Sequence, residues 1–231
     1  MIMAGILYGV GVGPGDPELM TGKACRILRE NEVIAAPGED VKETEAYRIA
    51  VRAVPEIADK TLLPVDMPMV MDRARLAAIH KKGAERIERV LDEGRNVAFI
   101  TLGDPTIYST FSYLQEIVEA DGYKTALVSG ITSFCAAAAQ LNLPLTKWNE
   151  PLHVISAIHR PDAAMDQPGT YVLMKSGKHM GAVKEMLRAS GRKAAMVENC
   201  GMPGQKIYRS LDEIPDDAGY FSLIVAKEPD A

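Results

Sequence analysis

Apolar runs alternate with amphipathic segments along the first 130 residues of the chain. The apolar runs predict β-strands over residues 6–10, 32–36, 61–65 and 96–101, and a further strand that ends at Ser129. Between these strands, apolar positions at helical spacing predict helices over residues 17–29, 43–54, 72–93 and 107–120. Because strands that alternate with helices are typical of crossover connections, this half of the chain predicts a parallel α/β sheet.

The second half of the chain has a different pattern, with more strands and fewer helices. Helices are predicted over residues 133–141 and 180–190, and strands over residues 153–157, 170–174, 193–198, 205–210 and 220–226. The sequence therefore predicts two domains, an N-terminal α/β domain of residues 1–130 and a C-terminal α+β domain of residues 131–231 with a mixed sheet. Ligands of such proteins usually bind at the carboxyl ends of strands and in the cleft between domains.

Composition and charge narrow the classes of function. The chain has 231 residues, of which 47% are hydrophobic, and this is enough for a substantial core. A net charge of −5 does not favour long-range attraction to nucleic acid or to an anionic membrane. Since neither a basic leader nor an apolar segment of membrane-spanning length is visible, we expect a cytoplasmic protein without nucleic-acid or membrane partners.

The cysteine and histidine residues are scattered along the chain. No C-x-x-C pair occurs, and the spacing of the histidines does not indicate a metal centre. The residues concerned are Cys25, Cys135, Cys200, His80, His153, His159 and His179. We therefore expect neither a metal site nor a disulfide framework.

A turn rich in glycine and proline, VGVGPGDPELMT, follows the first predicted strand. It approaches the dinucleotide fingerprint, but Pro14 stands where a G-x-G-x-x-G run requires glycine and removes an N–H that a phosphate would need. Lys23 is followed by Ala24, so a P-loop is also excluded. Glu32 lies near the position of the acidic residue of a nicotinamide oxidoreductase, yet Pro14 disfavours that class. A ligand at this turn is not expected to be held by phosphates.

Two more turns follow predicted strands. In TLGDPTIYST, Gly103 permits close approach of the backbone, and Asp104 supplies a hydrogen-bond acceptor or a helix cap. In SGITSF, Gly130 makes the turn, and Thr132 and Ser133 supply hydroxyls or caps. Each turn taken alone is equally compatible with an ordinary capped connection between a strand and a helix.

Three segments taken together, in this order and spacing, resemble a known family. They are VGVGPGDPELMT, FITLGDPTIYSTFSYL and SGITSFCAAAAQLNLPL. The chain resembles the tetrapyrrole methyltransferases, which use S-adenosyl-L-methionine to methylate corrin precursors, and the resemblance covers nearly the whole chain. Together with the segment LPVDMPMVMDRARL, these residues are most similar to the C20-methyltransferases that act on precorrin-2 or cobalt-factor II.

The resemblance implies a fold, a cofactor and a reaction. The fold is the two-domain tetrapyrrole methylase architecture with the active-site cleft between the domains, and the assembly is a homodimer. The cofactor is S-adenosyl-L-methionine, with S-adenosyl-L-homocysteine as product, and the reaction methylates the C20 meso carbon of precorrin-2 or cobalt-factor II in cobalamin biosynthesis. The alternatives are a uroporphyrinogen III methyltransferase or a diphthine synthase of the same family, and a non-catalytic tetrapyrrole-binding protein.

The resemblance also places residues at the cofactor. They are Pro14, Leu102, Gly103, Asp104, Ile107, Thr132, Ser133, Met174 and Cys200. Two positions depart from the family pattern. Cys200 stands where many relatives carry glycine, so we expect it to contact the cofactor mainly through its backbone. Ser129 replaces a usual proline, which should leave that turn slightly less rigid.

Candidates for catalysis and substrate binding follow from the chemistry. A sulfonium is already a leaving group, so alignment with a carbon nucleophile supplies most of the acceleration, about 7–11 kcal/mol, and a strong base is not obligatory. Asp104 and Tyr108 are the polar side chains expected nearest the reacting carbon, as hydrogen-bond partners or proton acceptors. Arg48 and Arg52 share a helix face, where like charges favour an anion between them, so we expect both to bind substrate carboxylates. For Tyr108 the alternative is packing, and for the arginines it is a solvated face with Glu45 as partner.

Overall fold

The computed structural model describes residues 3–68, 72–156 and 165–229 of the chain. These residues fall into two compact units, Met1–Thr132 and Ser133–Ala231, and each unit is described by itself. Across the described ranges, no helix has both the length and the apolar character needed to cross a membrane.

The first unit contains a five-stranded parallel sheet. Its strands are β1 (Ile6–Gly11), β2 (Val33–Pro37), β3 (Thr61–Val65), β4 (Val97–Thr101) and β5 (Lys124–Val128). They lie in the order β3-β2-β4-β1-β5, and every neighbouring pair is parallel. The predicted parallel α/β sheet is confirmed, and the carboxyl ends of its strands share one edge.

Helices pack against both faces of this sheet. They are α1 (Gly22–Glu30), α2 (Glu45–Ala53), α3 (Arg73–Asp92) and α4 (Phe111–Ala120). One apolar cluster includes Leu28 and Ile100, and a second includes Phe99 and Leu114. Because both faces are covered, β4 is buried along its whole length, and this explains its continuous apolar run.

The start of α1 differs from the sequence prediction. The pattern predicts one helix over residues 17–29, whereas the structure has a 3-10 turn at Pro17–Leu19 that is followed by α1. Asp16 caps the 3-10 turn, and Thr21 caps α1 by accepting a hydrogen bond from the N–H of Ala24 at 3.2 Å. A second capping residue therefore divides the predicted helix into two pieces.

The start of α4 also lies later than predicted. The pattern predicts a helix over residues 107–120, but α4 begins at Phe111. Tyr108 has a φ of +47°, which lies in the left-handed region and cannot continue a right-handed helix. Ser109 accepts a hydrogen bond from the N–H of Phe111 at 3.2 Å and so satisfies a donor at the true helix start.

The second unit contains a five-stranded mixed sheet. Its strands are β6 (Leu152–Ser156), β7 (Thr170–Met174), β8 (Lys193–Glu198), β9 (Lys206–Tyr208) and β10 (Ser222–Lys227). Their order is β6-β7-β10-β8-β9, with β6 parallel to β7 and the other pairs antiparallel. Helices α5 (Ser133–Leu141) and α6 (Met180–Ser190) begin and end at the predicted residues. The predicted mixed-sheet α+β pattern is confirmed.

Lys60 closes the carboxyl end of α1. Its ammonium donates hydrogen bonds to the carbonyl oxygens of Leu28, Arg29 and Asn31 at 2.7, 2.6 and 2.8 Å. The last carbonyls of a helix have no partner within the helix, and this end of the helix dipole favours a positive charge. The Lys60 side chain therefore anchors the residues before β3 to α1.

Lys60→Met should destabilise the protein, because methionine keeps most of the aliphatic stem but donates no hydrogen bond. Hydrogen bonds that involve a charged group contribute about 1.5–3 kcal/mol, and we expect a loss of unfolding free energy in this range. Urea denaturation measures it. Lys82→Met on the exposed face of α3 is the control and should change stability by less than about 0.5 kcal/mol. Equal effects of the two substitutions would show that the Lys60 hydrogen bonds contribute no net stability.

Candidate active site

The first unit brings three of the predicted turns to one edge of its sheet. The turns comprise residues 11–16, 102–104 and 129–132, which begin at the last residue of β1 and directly after β4 and β5. These strands are neighbours in the order β4-β1-β5, and all three run in the same direction. The turns therefore lie side by side at the carboxyl edge, where ligands of open α/β sheets bind.

Backbone hydrogen bonds join the first two turns. Gly13 and Gly103 form an antiparallel bridge. The N–H of Gly13 donates to the carbonyl oxygen of Gly103 at 3.2 Å, and the N–H of Gly103 donates to that of Gly13 at 2.7 Å. Both residues have φ in the left-handed region, at +78° and +72°, where glycine is favoured. The bridge therefore depends on glycine at both positions.

Glycine also permits direct contact between the first and third turns. A Cβ atom at Gly11 would lie 2.5 Å from the carbonyl oxygen of Gly103 and 2.6 Å from the backbone nitrogen of Gly130. A Cβ atom at Gly130 would overlap the same carbonyl oxygen and would lie 2.9 Å from the Cα of Gly11. The three turns are thus packed backbone against backbone, without room for a side chain.

Asp104 ties the second turn to the third. Its carboxylate is buried, at 7% exposure. Oδ2 accepts a hydrogen bond from the N–H of Gly130 at 3.0 Å, and Oδ1 accepts from the N–H of Thr106 at 2.8 Å and from the Thr106 hydroxyl. Both carboxylate oxygens therefore hold backbone in place, and the side chain acts as a strut between the turns.

Thr132 contributes a hydroxyl that needs a partner. Its Oγ1 is buried and has no hydrogen-bond partner among the residues that the structure describes. A buried hydroxyl without a hydrogen bond costs free energy, so a ligand that supplies one gains affinity at this position. Thr132 lies in the third turn, two residues after Gly130, and its hydroxyl fits a polar ligand at this edge.

The remaining predicted cofactor residues of the first unit lie in or beside the same turns. Pro14 is buried directly after Gly13, and Leu102 is the residue before Gly103. Ile107 donates its N–H to the carbonyl oxygen of Asp104 at 3.3 Å. The structure therefore gathers at one sheet edge the residues Pro14, Leu102, Gly103, Asp104, Ile107 and Thr132.

Tyr108 has an unusual backbone conformation within the loop that follows the second turn. Its φ is +47°, and the residue is 50% exposed. A bulky residue in the left-handed region is a backbone outlier, and such outliers cluster at functional sites. The geometry therefore keeps Tyr108 among the candidates for substrate contact.

The two arginines of α2 have different surroundings. Arg48 forms ion pairs with Glu43 at 2.8 Å and with Glu45 at 2.7 Å, and its side chain is half exposed. Arg52 is exposed and has no hydrogen-bond or ion-pair partner within the described part of the chain. The two glutamates therefore neutralise the charge of Arg48, and Arg52 is the arginine more available to bind an anionic ligand.

In the second unit, Met174 and Cys200 lie at the same edge of the mixed sheet. Strands β7 and β8 both run antiparallel to β10, so their carboxyl ends coincide; Met174 ends β7 and Cys200 follows β8 by two residues. Burial raises the pKa of the Cys200 thiol to about 11, so the thiol is neutral at physiological pH. A neutral thiol is compatible with the expectation that Cys200 contacts the cofactor through its backbone rather than through a reactive sulfur.

Ser133 is the first residue of α5 and is half-buried.

Two histidines, His80 and His153, stack on tyrosine rings. His80 is buried and stacks on Tyr113 with ring centroids 4.7 Å apart, and burial lowers its pKa. His153 stacks on Tyr171 at 4.4 Å. Residues 3–68, 72–156 and 165–229 contain no group of three or more His, Cys, Asp or Glu side chains that could hold a metal ion. His159 lies outside the described residues.

Two hydroxyl groups of this loop, those of Thr106 and Ser109, are not among the residues predicted from the sequence. Thr106 bonds to Asp104 two residues earlier, and the spacing of an Asx turn could have indicated that contact. Ser109 Oγ lies 3.0 Å from Thr101 Oγ1 at the end of β4. This second contact has no local signal, because it depends on how the loop returns to the strand.

Gly130→Ala should disrupt the packing of the three turns, because the added methyl group overlaps the carbonyl oxygen of Gly103. Backbone must move to relieve the overlap, so we expect a loss of at least about 2 kcal/mol in unfolding free energy. The control is Gly22→Ala at the first residue of α1, where the added Cβ would meet no described residue within 4 Å apart from its chain neighbours and the backbone of its own helix. This control should be neutral or stabilising by up to about 1 kcal/mol. Similar values for the two variants in chemical denaturation would contradict the close approach of the turns.

Comparison with known proteins agrees with this arrangement. Residues 6–215 match the family described as Tetrapyrrole (Corrin/Porphyrin) Methylases. A protein of Methanocaldococcus jannaschii named probable cobalt-precorrin-2 C(20)-methyltransferase is 33% identical, with 96% of this chain and 95% of that protein covered. The cobalt-precorrin-2 C(20)-methyltransferase of Salmonella typhimurium is 32% identical, with 98% of each chain covered.

Solved structures show the same fold. The uroporphyrin-III-C-methyltransferase of Thermus thermophilus is similar with a TM-score of 0.70 and 25% identity, over 96% of this chain and 92% of that one. A cobalt precorrin-4 methyltransferase is similar with a TM-score of 0.71 and 20% identity, over 96% and 94%. The match to the family over most of the chain, together with relatives of full length, confirms the resemblance that the three turns indicate: the chain belongs to the tetrapyrrole methylase family.

Proposed function

We propose that this protein is a methyltransferase that transfers the methyl group of S-adenosyl-L-methionine to the C20 meso carbon of precorrin-2 or cobalt-factor II, in cobalamin biosynthesis. The observation that carries the proposal is the similarity to two C20-methyltransferases at 33% and 32% identity, each covered over almost its entire length. An enzyme of Sinorhizobium named precorrin-2 C(20)-methyltransferase is also similar, at 28% identity over 96% of this chain.

The residues at the carboxyl edge of the first sheet fit this cofactor. S-adenosyl-L-methionine has no phosphate, so the missing N–H of Pro14 is not a disadvantage. It carries ribose hydroxyls and an amino-acid group, which can satisfy the buried hydroxyl of Thr132. A Thermus thermophilus uroporphyrin-III C-methyltransferase of the same fold was solved in complex with S-adenosyl homocysteine. When bound, the cofactor supplies a methyl group on a sulfonium centre.

The cofactor residues fall into two sets. In the first unit we assign the residues of the three turns, Pro14, Leu102, Gly103, Asp104, Ile107 and Thr132. In the second unit we assign Ser133, Met174 and Cys200, as the resemblance implies. Met174 and Cys200 share one edge of their sheet, and this supports their assignment to one ligand.

Asp104 and Tyr108 have different roles in this proposal. Both oxygens of Asp104 accept hydrogen bonds from Gly130 and Thr106, so we assign Asp104 to the positioning of the cofactor turns. Removal of a proton by this carboxylate would compete with those bonds. Tyr108, half exposed on the following loop, is the polar side chain that we assign to the reacting carbon, as a hydrogen-bond partner or proton acceptor.

The protein is further proposed to be a cytoplasmic homodimer, as the sequence and the family resemblance imply. Arg48 and Arg52 are the proposed partners of the substrate carboxylates. Of the two, Arg52 is expected to contribute more, because Glu43 and Glu45 already pair with Arg48.

Methyl transfer to C20 is the test of the proposed function. Calorimetric titration with S-adenosyl-L-homocysteine should show saturable binding. Incubation with S-adenosyl-L-methionine that carries a ¹³C-methyl group should place the label on C20, as read by carbon NMR, with metal-free and cobalt-loaded substrates assayed side by side. Label on a different carbon would favour another activity of the family. Tetrapyrrole binding without binding of S-adenosyl-L-homocysteine would favour a non-catalytic carrier.

The double substitution Arg48→Ala and Arg52→Ala should weaken tetrapyrrole binding by about tenfold or more and leave the affinity for S-adenosyl-L-homocysteine unchanged. Charge-assisted hydrogen bonds to a sheltered ligand contribute about 1.5–3 kcal/mol, whereas exposed ion pairs contribute about 0–1 kcal/mol. Fluorescence titration measures the loss. Arg26→Ala on α1, which breaks a comparable exposed pair with Glu30 at 2.7 Å, is the matched control. A loss below about twofold would assign both arginines to a solvated helix face.

A further inference from the structure

The loop between β4 and α4 is fixed at both of its ends. At the first end, Asp104 accepts hydrogen bonds from the N–H and the hydroxyl of Thr106. At the second end, Ser109 Oγ lies 3.0 Å from Thr101 Oγ1 and accepts from the N–H of Phe111 at 3.2 Å. The residue held immediately before this second fixed point is Tyr108.

Tyr108 occupies a conformation that tyrosine does not favour. In the left-handed region, Cβ crowds the backbone, so glycine and asparagine adopt it more readily than aromatic residues do. The φ of +47° therefore costs free energy, and a ring that is 50% exposed recovers only part of that cost through burial. Strain of this kind persists where the surrounding structure enforces it, and it is concentrated at functional positions.

We propose that Ser109 is a positioning residue for methyl transfer. Its hydroxyl links the end of β4 at Thr101 to the first turn of α4 at Phe111, and so holds Tyr108 in the left-handed conformation. The half-exposed ring and phenol of Tyr108 are the groups that we assign to contact with the tetrapyrrole. This inference rests on the proposed function, because it takes the tetrapyrrole as the substrate that Tyr108 contacts.

The first test measures Tm and kcat of Tyr108 variants, because relief of strain should raise Tm whereas loss of a functional group should lower kcat. Tyr108→Asn relieves the backbone strain and removes the ring. We expect Tm to rise by about 2–4 °C and kcat to fall by about tenfold or more. Tyr108→Phe removes only the phenol hydroxyl, so it divides the loss in kcat between the ring and the hydroxyl.

Trp148 offers a matched control for this test. It also has a left-handed backbone, with φ of +53°, and its side chain is fully exposed in the loop between α5 and β6. Trp148→Asn should therefore raise Tm by a similar amount and leave kcat unchanged. The control shows that relief of strain alone does not slow methyl transfer.

The second test asks whether Ser109 acts through Tyr108. Ser109→Ala should lower kcat by about tenfold, because a small displacement of a positioned group is enough to slow a reaction of this kind. In the Tyr108→Asn background the same substitution should cause no further loss of kcat. Ser109→Thr keeps the hydroxyl and should restore most of the rate. Affinity for S-adenosyl-L-homocysteine should be the same in all these variants.

Three results would overturn the inference. An equal loss of kcat from Ser109→Ala with and without Tyr108 would show that Ser109 acts elsewhere. A fall in Tm for Tyr108→Asn would show that Tyr108 is a packing residue without strain. Failure of the unaltered protein to methylate any tetrapyrrole would overturn the proposed function and this role of Ser109 together. If the unaltered protein is active and only the Ser109 variants give the wrong result, the proposed function stands and the role of Ser109 alone is overturned.

Discussion

Contact between glycine backbones at the carboxyl edge of the first sheet is the constraint on which the site depends. The turns that contain Gly11, Gly103 and Gly130 approach so closely that a Cβ atom at Gly11 or Gly130 would meet neighbouring backbone. Three strands with parallel direction and adjacent positions bring these turns together, and the carboxylate of Asp104 then links the second to the third. A ligand that binds here meets backbone, small side chains and one buried hydroxyl, and this surface suits a cofactor without phosphate.

The buried sheet below this edge offsets the free-energy costs of two site residues. The strained backbone of Tyr108 lowers stability, and so does the buried hydroxyl of Thr132, which has no partner within the described part of the chain. Directly below them, β4 is wholly buried between two apolar clusters, and its last residue, Thr101, supplies the contact that fixes Ser109. Because a well-packed strand holds the start of the loop, the loop itself can keep conformations that would not persist in isolation.

The sequence predicts this fold to the extent that each feature has a local signal. Apolar runs predict the strands, and α5 and α6 begin and end where their periodicity says. The parallel sheet places the three turns at one edge, but their contact also requires the strand order β4-β1-β5, which has no local signal. The bond from Asp104 to Gly130 spans 26 residues and has no local signal. The ion pair of Arg48 with Glu45, in contrast, joins residues three apart and follows from their spacing on one helix. The late start of α4 is missed because Tyr108 adopts a backbone conformation against its own propensity.

The hydrogen bonds of Asp104 also explain how a buried carboxylate can lie near the proposed methyl-transfer site without slowing the reaction. Transfer from a sulfonium disperses positive charge, so a free carboxylate next to it would bind the ground state more tightly than the transition state and would slow the reaction. In this structure the negative charge of Asp104 is directed at the N–H groups of Gly130 and Thr106. The same bonds that fix the turns therefore reduce the field that the carboxylate can exert on a bound sulfonium. A structural role for Asp104 and rapid transfer are compatible for this reason, and a role as general base would require the turns to loosen.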